Sequence, residues 1–355
     1  MWRVTEADLE AIAIGAGILG TGGGGNPYVG KLRARQAIRE FGSVDILSPE
    51  ELPDDARIVC VGIIGAPTVG NEKIPDYQSY YALRALEAFV GEAATAMLPN
   101  EIGGTNSVES FVPASIARIP VVDADGMGRA FPEFQMKTFF TYGVPCAPMA
   151  LADEKGNTTI ISEAVDARWV ERMARALTIQ MGSAACYAVG PMTADQVRRT
   201  AVPHTLTLAR DLGRAVQQAR SVHADTTEAI LNSCGGKVLF QGKISDVERR
   251  TTGGFSKGTV LIEGTRADQG HQMTIEFQNE NLIAWMDGDP VCIVPDLICI
   301  VDETGEPITT ELLRYGFRVT VLGFPAPKLW TTTEGLAVVG PNAFGYNLEY
   351  SPLKG

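Results

Sequence analysis

Gly15-Ala16-Gly17-Ile18-Leu19-Gly20-Thr21-Gly22-Gly23-Gly24-Gly25-Asn26-Pro27 is the stretch on which the fold turns. Its first six residues spell G-x-G-x-x-G, which in a dinucleotide-binding unit follows a strand and opens a helix. Here Thr5-Glu6-Ala7-Asp8 looks like a helix start, and Leu9, Ile12, Ala13 and Ile14 keep helical spacing, so a helix precedes the motif. The Rossmann reading is rejected and no nucleotide cofactor is expected. The glycine run itself is costly in a helix or strand, about 0.5–1 kcal/mol per residue relative to alanine. Asn26 then suits an N-cap and Pro27 a first helical position, opening a helix over 28–41 that Gly42 stops. A glycine loop delivering the chain into a helix N-terminus suits an anion or oxyanion. The plain alternative is a surface turn.

Downstream, short apolar strands alternate with helices: strands at 44–47, 57–64, 94–98 and 120–123, helices at 76–90, 107–117 and 131–142. This alternation implies an α/β layer with a mostly parallel sheet. A hairpin within 147–162 turns around Asp153-Glu154-Lys155-Gly156-Asn157. Helices over 166–181, 194–200, 205–220 and 226–232 read as a bridge. After Gly235-Gly236 the pattern becomes β-rich, with strands at 237–240, 245–251, 259–263, 272–278, 281–286, 291–294, 297–301, 315–322 and 335–339, which suits a small barrel or sandwich. The division expected is an α/β domain over 1–165, a helical bridge over 166–232 and a β-rich domain over 233–355.

The chain's 355 residues suffice for two cores, and 45% apolar with 20% charged residues is the balance of a globular protein. A formal net charge of −12 argues against nucleic acid or an anionic membrane as partner. The six cysteines are scattered without a C-x-x-C pair, as expected of reduced thiols in the cytoplasm. The apolar run 11–19 is too short to span a membrane. A small-molecule ligand is the expected partner, and a homo-oligomer is compatible with the composition.

In a parallel sheet, ligands sit beyond the carboxyl ends of the strands. Three loops at that edge combine glycines with carboxylates: Gly65 to Lys73, Pro99 to Asn106, and Asp123 to Arg129. Their candidate residues are Glu72, Lys73, Glu101, Gly103, Gly104, Asn106, Asp123, Asp125 and Arg129. Glu101, Asp123 and Asp125 are the expected catalytic groups, as bases or through a divalent metal for which Glu72 is a fourth oxygen donor. Thr21, the four glycines 22–25 (Gly22, Gly23, Gly24, Gly25) and Asn26 join them as ligand binders. Arg129 and Glu133, four apart on the expected helix, either pair with each other or serve binding. In the β-rich half, Gln278-Asn279-Glu280-Asn281 interrupts a strand pattern. Alternation would place Gln278 and Glu280 on one face and Asn279 and Asn281 on the other. The run is either a turn or a polar patch closing over the site. His204, His223 and His271 are far apart and read as loop residues. No H-E-x-x-H, G-x-S-x-G or P-loop occurs, so zincin, serine esterase and Walker ATPase chemistry lack support.

Seven stretches in order, G-T-G-G-G-G-N-P-Y, E-I-G-G-T-N, D-A-D-G-M-G-R-A-F-P-E, T-T-G-G-F-S-K-G, F-Q-N-E-N-L, P-D-L-I and G-P-N-A-F-G-Y, resemble a bacterial family associated with S-methyl thiohydantoin desulfurase. The resemblance covers nearly the whole chain. It implies an N-terminal α/β domain, a C-terminal β-rich domain, and a hydrolase that adds water to a cyclic isothiourea and releases methanethiol. A binding or regulatory protein without turnover, and an enzyme for a phosphorylated ligand, remain the alternatives.

Overall fold

The computed structural model describes residues 1–66, 69, 72–74, 76–252 and 255–353. Pro67, Thr68, Gly70 and Asn71 of the first candidate loop, and Gly253-Gly254, lie outside them.

The first half is built on a sheet of eight strands. They are β1 (Trp2–Arg3), β2 (Asp45–Leu47), β3 (Arg57–Gly65), β4 (Ala96–Pro99), β5 (Val121–Val122), β7 (Met149–Ala152), β8 (Thr158–Ile161) and β9 (Ala184–Thr193), with β6 (Ala124–Asp125) beside the sheet pairing β10 (Val202–Pro203). The order is β1-β2-β5-β4-β3-β9-β7-β8. Strands β2, β5, β4 and β3 run parallel and form the middle, so their carboxyl ends share one edge. The other strands pair antiparallel, which makes the sheet mixed around a parallel core.

The segment expected as a helical bridge holds a strand of this sheet. Strand β9 pairs with β3 from Arg57↔Thr193 to Gly65↔Ala184 and with β7 on its other side. Its sequence is alanine-rich and lacks the β-branched run that marks strands, so burial between two neighbours and not propensity makes it one. The helix expected over 131–142 is also corrected. Only Thr138–Thr141 is helical, and Phe131 to Lys137 runs irregularly along the cavity described below. Pro132 and the amide bonds that Phe131 and Phe134 donate to Glu101 and Glu171 carboxylates compete with a helical ladder.

The G-x-G-x-x-G match sits at the end of the helix Glu6–Leu19, capped by a Thr5–Asp8 box. Its first glycine serves helix packing. A Cβ on Gly15 would lie 1.9 Å from the Ala209 carbonyl oxygen, and one on Gly213 would lie 1.8 Å from that of Ala11. The helices Glu6–Leu19 and Thr205–Ser221 therefore cross backbone to backbone. Asn26 caps the helix Pro27–Phe41 as expected, accepting from the Tyr28 amide at 3.0 Å.

The second half curls a seven-stranded antiparallel sheet into a half-barrel. Its strands are β11 (Lys237–Thr252), β12 (Phe255–Gly264), β13 (Gln272–Gln278), β14 (Glu280–Met286), β15 (Asp289–Ile293), β16 (Leu297–Val301) and β17 (Arg318–Phe324), in the order β15-β14-β13-β12-β11-β17-β16. The strands expected at 237–240 and 245–251 are one strand with irregular register, and the strand expected at 335–339 is instead the helix Thr333–Val339, capped by Thr332. Among the described residues, no helix is long and apolar enough to cross a membrane.

Candidate active site

The parallel edge of the first sheet faces the β13–β14 corner of the second half. Between them lies a cavity of about 140 Å³. Gly24, Gly25 and Asn26 line it from the glycine loop, Lys73 from the loop after β3, Glu101 and Asn106 from the loop after β4, and Glu133 from beyond β5. Asn279 and Glu280 close it from the second half.

Glu101 is fully enclosed. Asn106 Nδ2 donates to its Oε1, and the Phe131 amide donates to Oε2 at 3.2 Å. Burial pushes its carboxyl up to about 8, against these donors and the nearby Lys137 charge, which favour the anion. Glu280 is equally buried, and although the Arg129 charge favours its anion, its Oε2 has no hydrogen-bond partner among the described residues. Burial holds the Glu280 carboxyl well above the usual range, and the Glu101 charge pushes the same way. Two carboxyl groups from distant parts of the chain thus meet one cavity in different environments.

The glycine loop makes room for this meeting. A Cβ on Gly23 would lie 2.0 Å from Glu280 Oε1, and one on Gly24 would lie 2.4 Å from the Gly103 carbonyl oxygen. Gly103 and Gly104 belong to the same close approach, with Gly104 N donating to the Ala16 carbonyl at 3.0 Å. Thr21 and Gly22 lie deeper and join the halves: the Asn281 amide donates to Thr21 O and the Thr310 amide to Gly22 O, each at 2.8 Å.

Other expected site residues have different work. Arg129 is wholly buried, and instead of pairing with Glu133 it donates to the carbonyls of Pro295 (3.0 Å), Asp296 (2.7 Å) and Asn281 (3.1 Å) and to Thr21 Oγ1 (2.9 Å). It is a rivet between the halves. Burial lowers its guanidinium to about 10, which leaves it charged at neutral pH. Asp123 faces the helix Thr205–Ser221, accepting from the Thr207 amide at 3.0 Å and from the Thr207 hydroxyl. Asp125 Oδ1 accepts from the Met127 and Gly128 amides and shapes the turn there, with burial raising its carboxyl to about 7. Neither aspartate lines the cavity, so Glu101 alone of the three expected catalytic groups reaches it. Glu72 is exposed, and Lys73 is tied to Glu154 at 2.7 Å and to the carbonyls of Met181 and Ala184.

The polar run 278–281 does not alternate. Asn279 takes φ 59°, turning the corner so that it and Glu280 both reach the cavity, while Asn281 Nδ2 donates inward to the Ile298 carbonyl at 2.9 Å and Gln278 stays in the ladder opposite Lys257. The four carboxylates weighed as metal ligands are dispersed. Among the described residues no group of three His, Cys, Asp or Glu side chains is placed together to hold an ion.

Several cavity residues carry no motif. Arg33 reaches in from mid-helix and pairs with the buried Glu109 at 3.1 Å. Lys137 comes from the irregular segment after Phe131, and Cys186 and Tyr187 from β9. The sequence offers for β9 only the short apolar run Cys186-Tyr187-Ala188-Val189, bounded by Gly182-Ser183 and Gly190-Pro191, which periodicity does not tell from a buried helix segment.

Two family models divide the chain between them: "S-Me-THD-like, N-terminal domain" matches residues 7–163 and "S-Me-THD-like, C-terminal domain" matches residues 165–353. The chain belongs to the S-Me-THD-like family. The crystal structure of a protein from Chromobacterium violaceum is similar over 100% of both chains, with 25% sequence identity and a TM-score of 0.81. No curated protein matches the chain. The S-Me-THD-like arrangement therefore places its cavity where its two matched regions meet, with Glu101 from one and Glu280 from the other.

Proposed function

We propose that this S-Me-THD-like protein is a hydrolase that desulfurises an S-methyl thiohydantoin. The observation that carries the reading is the pair Glu101 and Glu280, two buried carboxyl groups held in unlike environments on one cavity. Pairs of that kind divide acid and base roles.

The substrate's electrophilic carbon lies between two ring nitrogens and bears the methylthio group. Glu101, whose two N–H donors favour the anion, takes a proton from water as its oxygen bonds to that carbon. The carbon–nitrogen π pair moves onto the ring nitrogen and its adjoining carbonyl. When that pair returns, the carbon–sulfur bond breaks. Glu280, whose carboxyl burial holds above the usual range, gives its proton to the departing sulfur. The hydroxyl proton leaves to solvent as the ring nitrogen takes one up, giving hydantoin and methanethiol, and the proton on Glu101 passes through solvent to restore Glu280. The burial of both carboxyl groups strengthens each of these polar contacts.

The test is thiol release from S-methyl thiohydantoin by purified protein, alongside Glu101→Gln and Glu280→Gln. Release that falls at least a hundredfold in both variants supports the reading. Absence of release from the parent protein defeats it.

A further inference from the structure

At the inner wall of the cavity, three polar side chains are left with hydrogen-bonding capacity unused. Lys137 is completely buried, and its ammonium has one protein acceptor, the Phe134 carbonyl at 2.8 Å. The rest of its surroundings is aromatic, with the Phe134, Tyr187 and Phe140 ring centroids at 4.0, 5.4 and 5.5 Å. Tyr187 Oη and Asn100 Oδ1 are both buried without a partner among the described residues. These two side chains meet over Gly62, where an added Cβ would lie 2.6 Å from Asn100 Cβ and 2.8 Å from Tyr187 Oη. All three residues line the cavity together with Glu101.

A buried ammonium with one hydrogen bond, a buried phenol with none and a buried amide oxygen with none are expensive to leave so. Together they present donors beside an acceptor. That is the complement of a lactam edge, an N–H next to a C=O.

We infer that Lys137, Tyr187 and Asn100 form a subsite for the lactam edge of a five-membered cyclic imide, Lys137 and Tyr187 donating to the carbonyl oxygen and Asn100 Oδ1 accepting from the ring N–H. The inference rests on the desulfurase reading for the kind of ring, and it adds the residues that orient it. Lys137 suits this binding role, because burial lowers its ammonium only to about 8, so it stays charged at neutral pH.

Calorimetric titration of the full chain with hydantoin and with 3-methylhydantoin, whose methyl blocks the N–H between the carbonyls, tests the assignment without turnover. Hydantoin is expected to bind the parent protein at least tenfold more tightly than 3-methylhydantoin. Lys137→Met is expected to weaken hydantoin at least tenfold, the worth of a charge-assisted hydrogen bond, and to leave 3-methylhydantoin within twofold. Tyr187→Phe, which keeps the ring and its packing, is expected to weaken hydantoin about fivefold and carries the test if Lys137→Met does not fold. Equal losses for both ligands, or no hydantoin binding by the parent protein, overturn the inference. Differential binding without thiol release would leave the subsite standing and remove the desulfurase reading. Thiol release without differential binding would do the reverse.

Discussion

Gly23 and Glu280 adjoin so closely that no side chain fits between them, a Cβ on Gly23 falling 2.0 Å from Glu280 Oε1. The carboxyl group in question is buried and has an oxygen without a partner, so it has nowhere better to go. Gly23→Ala is expected to displace Glu280 and cut the rate of thiol release at least tenfold while the protein still folds. Activity and melting temperature measured on the same preparation check this; an unchanged rate would mean that Glu280 is not the acid.

The pH dependence follows from Glu101. Its carboxyl holds its proton up to about 8, so the fraction able to act as base grows as pH rises through neutrality. The rate is expected to climb from pH 6 to 8, and a rate–pH profile that is flat there would remove Glu101 from the role.

Stability runs the opposite way. The folded carboxyl of Glu101 titrates near 8 and the unfolded one near 4.5, so folding takes up a proton between those values. Its contribution is full below 4.5 and erodes as pH rises through 8, by about 1.4 kcal/mol per pH unit. Glu101→Gln is expected to flatten that slope, giving a variant that is inactive yet loses less stability towards pH 8. Denaturant melts at pH 5 and pH 8 decide it.

Arg129 is predicted to matter for cohesion. Arg129→Met would leave the Pro295, Asp296 and Asn281 carbonyls without their donor inside the fold. The expected cost is about 3 kcal/mol or more, read as a lowered denaturation midpoint. Restoration by lysine should be poor, because one ammonium cannot reproduce the planar fork.

Asp123 supplies the contrast. Asp123→Asn weakens its bonds to Thr207 on the helix Thr205–Ser221 and is expected to cost about 1 kcal/mol of stability, with thiol release kept within twofold. A hundredfold loss of rate would return Asp123 to the chemistry.

What was legible in the sequence was periodic or local. The strand–helix alternation placed β3, β4 and β5 in parallel, and parallel strands put their loops on one edge, which is how Lys73, Glu101 and Asn106 come to one cavity. The Asn279-Glu280 corner stood out because four polar residues interrupt a strand pattern. Tyr187 and Lys137 did not stand out. The first lies on a strand that only its neighbours make a strand, and the second follows a stretch whose composition suits a helix but whose amides Glu101 and Glu171 claim. Carboxylate-rich loops also hid a division of labour: Asp123 and Asp125 hold backbone and hydroxyl groups, and nothing in their spacing distinguishes that from chemistry.

Strand β9 lies between β3 and β7, so the sheet of the first half is joined across its middle by residues made after 183. On the ribosome, β7 and β8 emerge as a hairpin with no route to the parallel strands until β9 follows them out. The nascent first half must therefore wait with the open side of β3 exposed, and Glu280 arrives later still. A chain stopped at residue 163, the end of the first matched region, would keep that side of β3 bare. Such a fragment would carry an unpaired strand edge open to pairing with another chain.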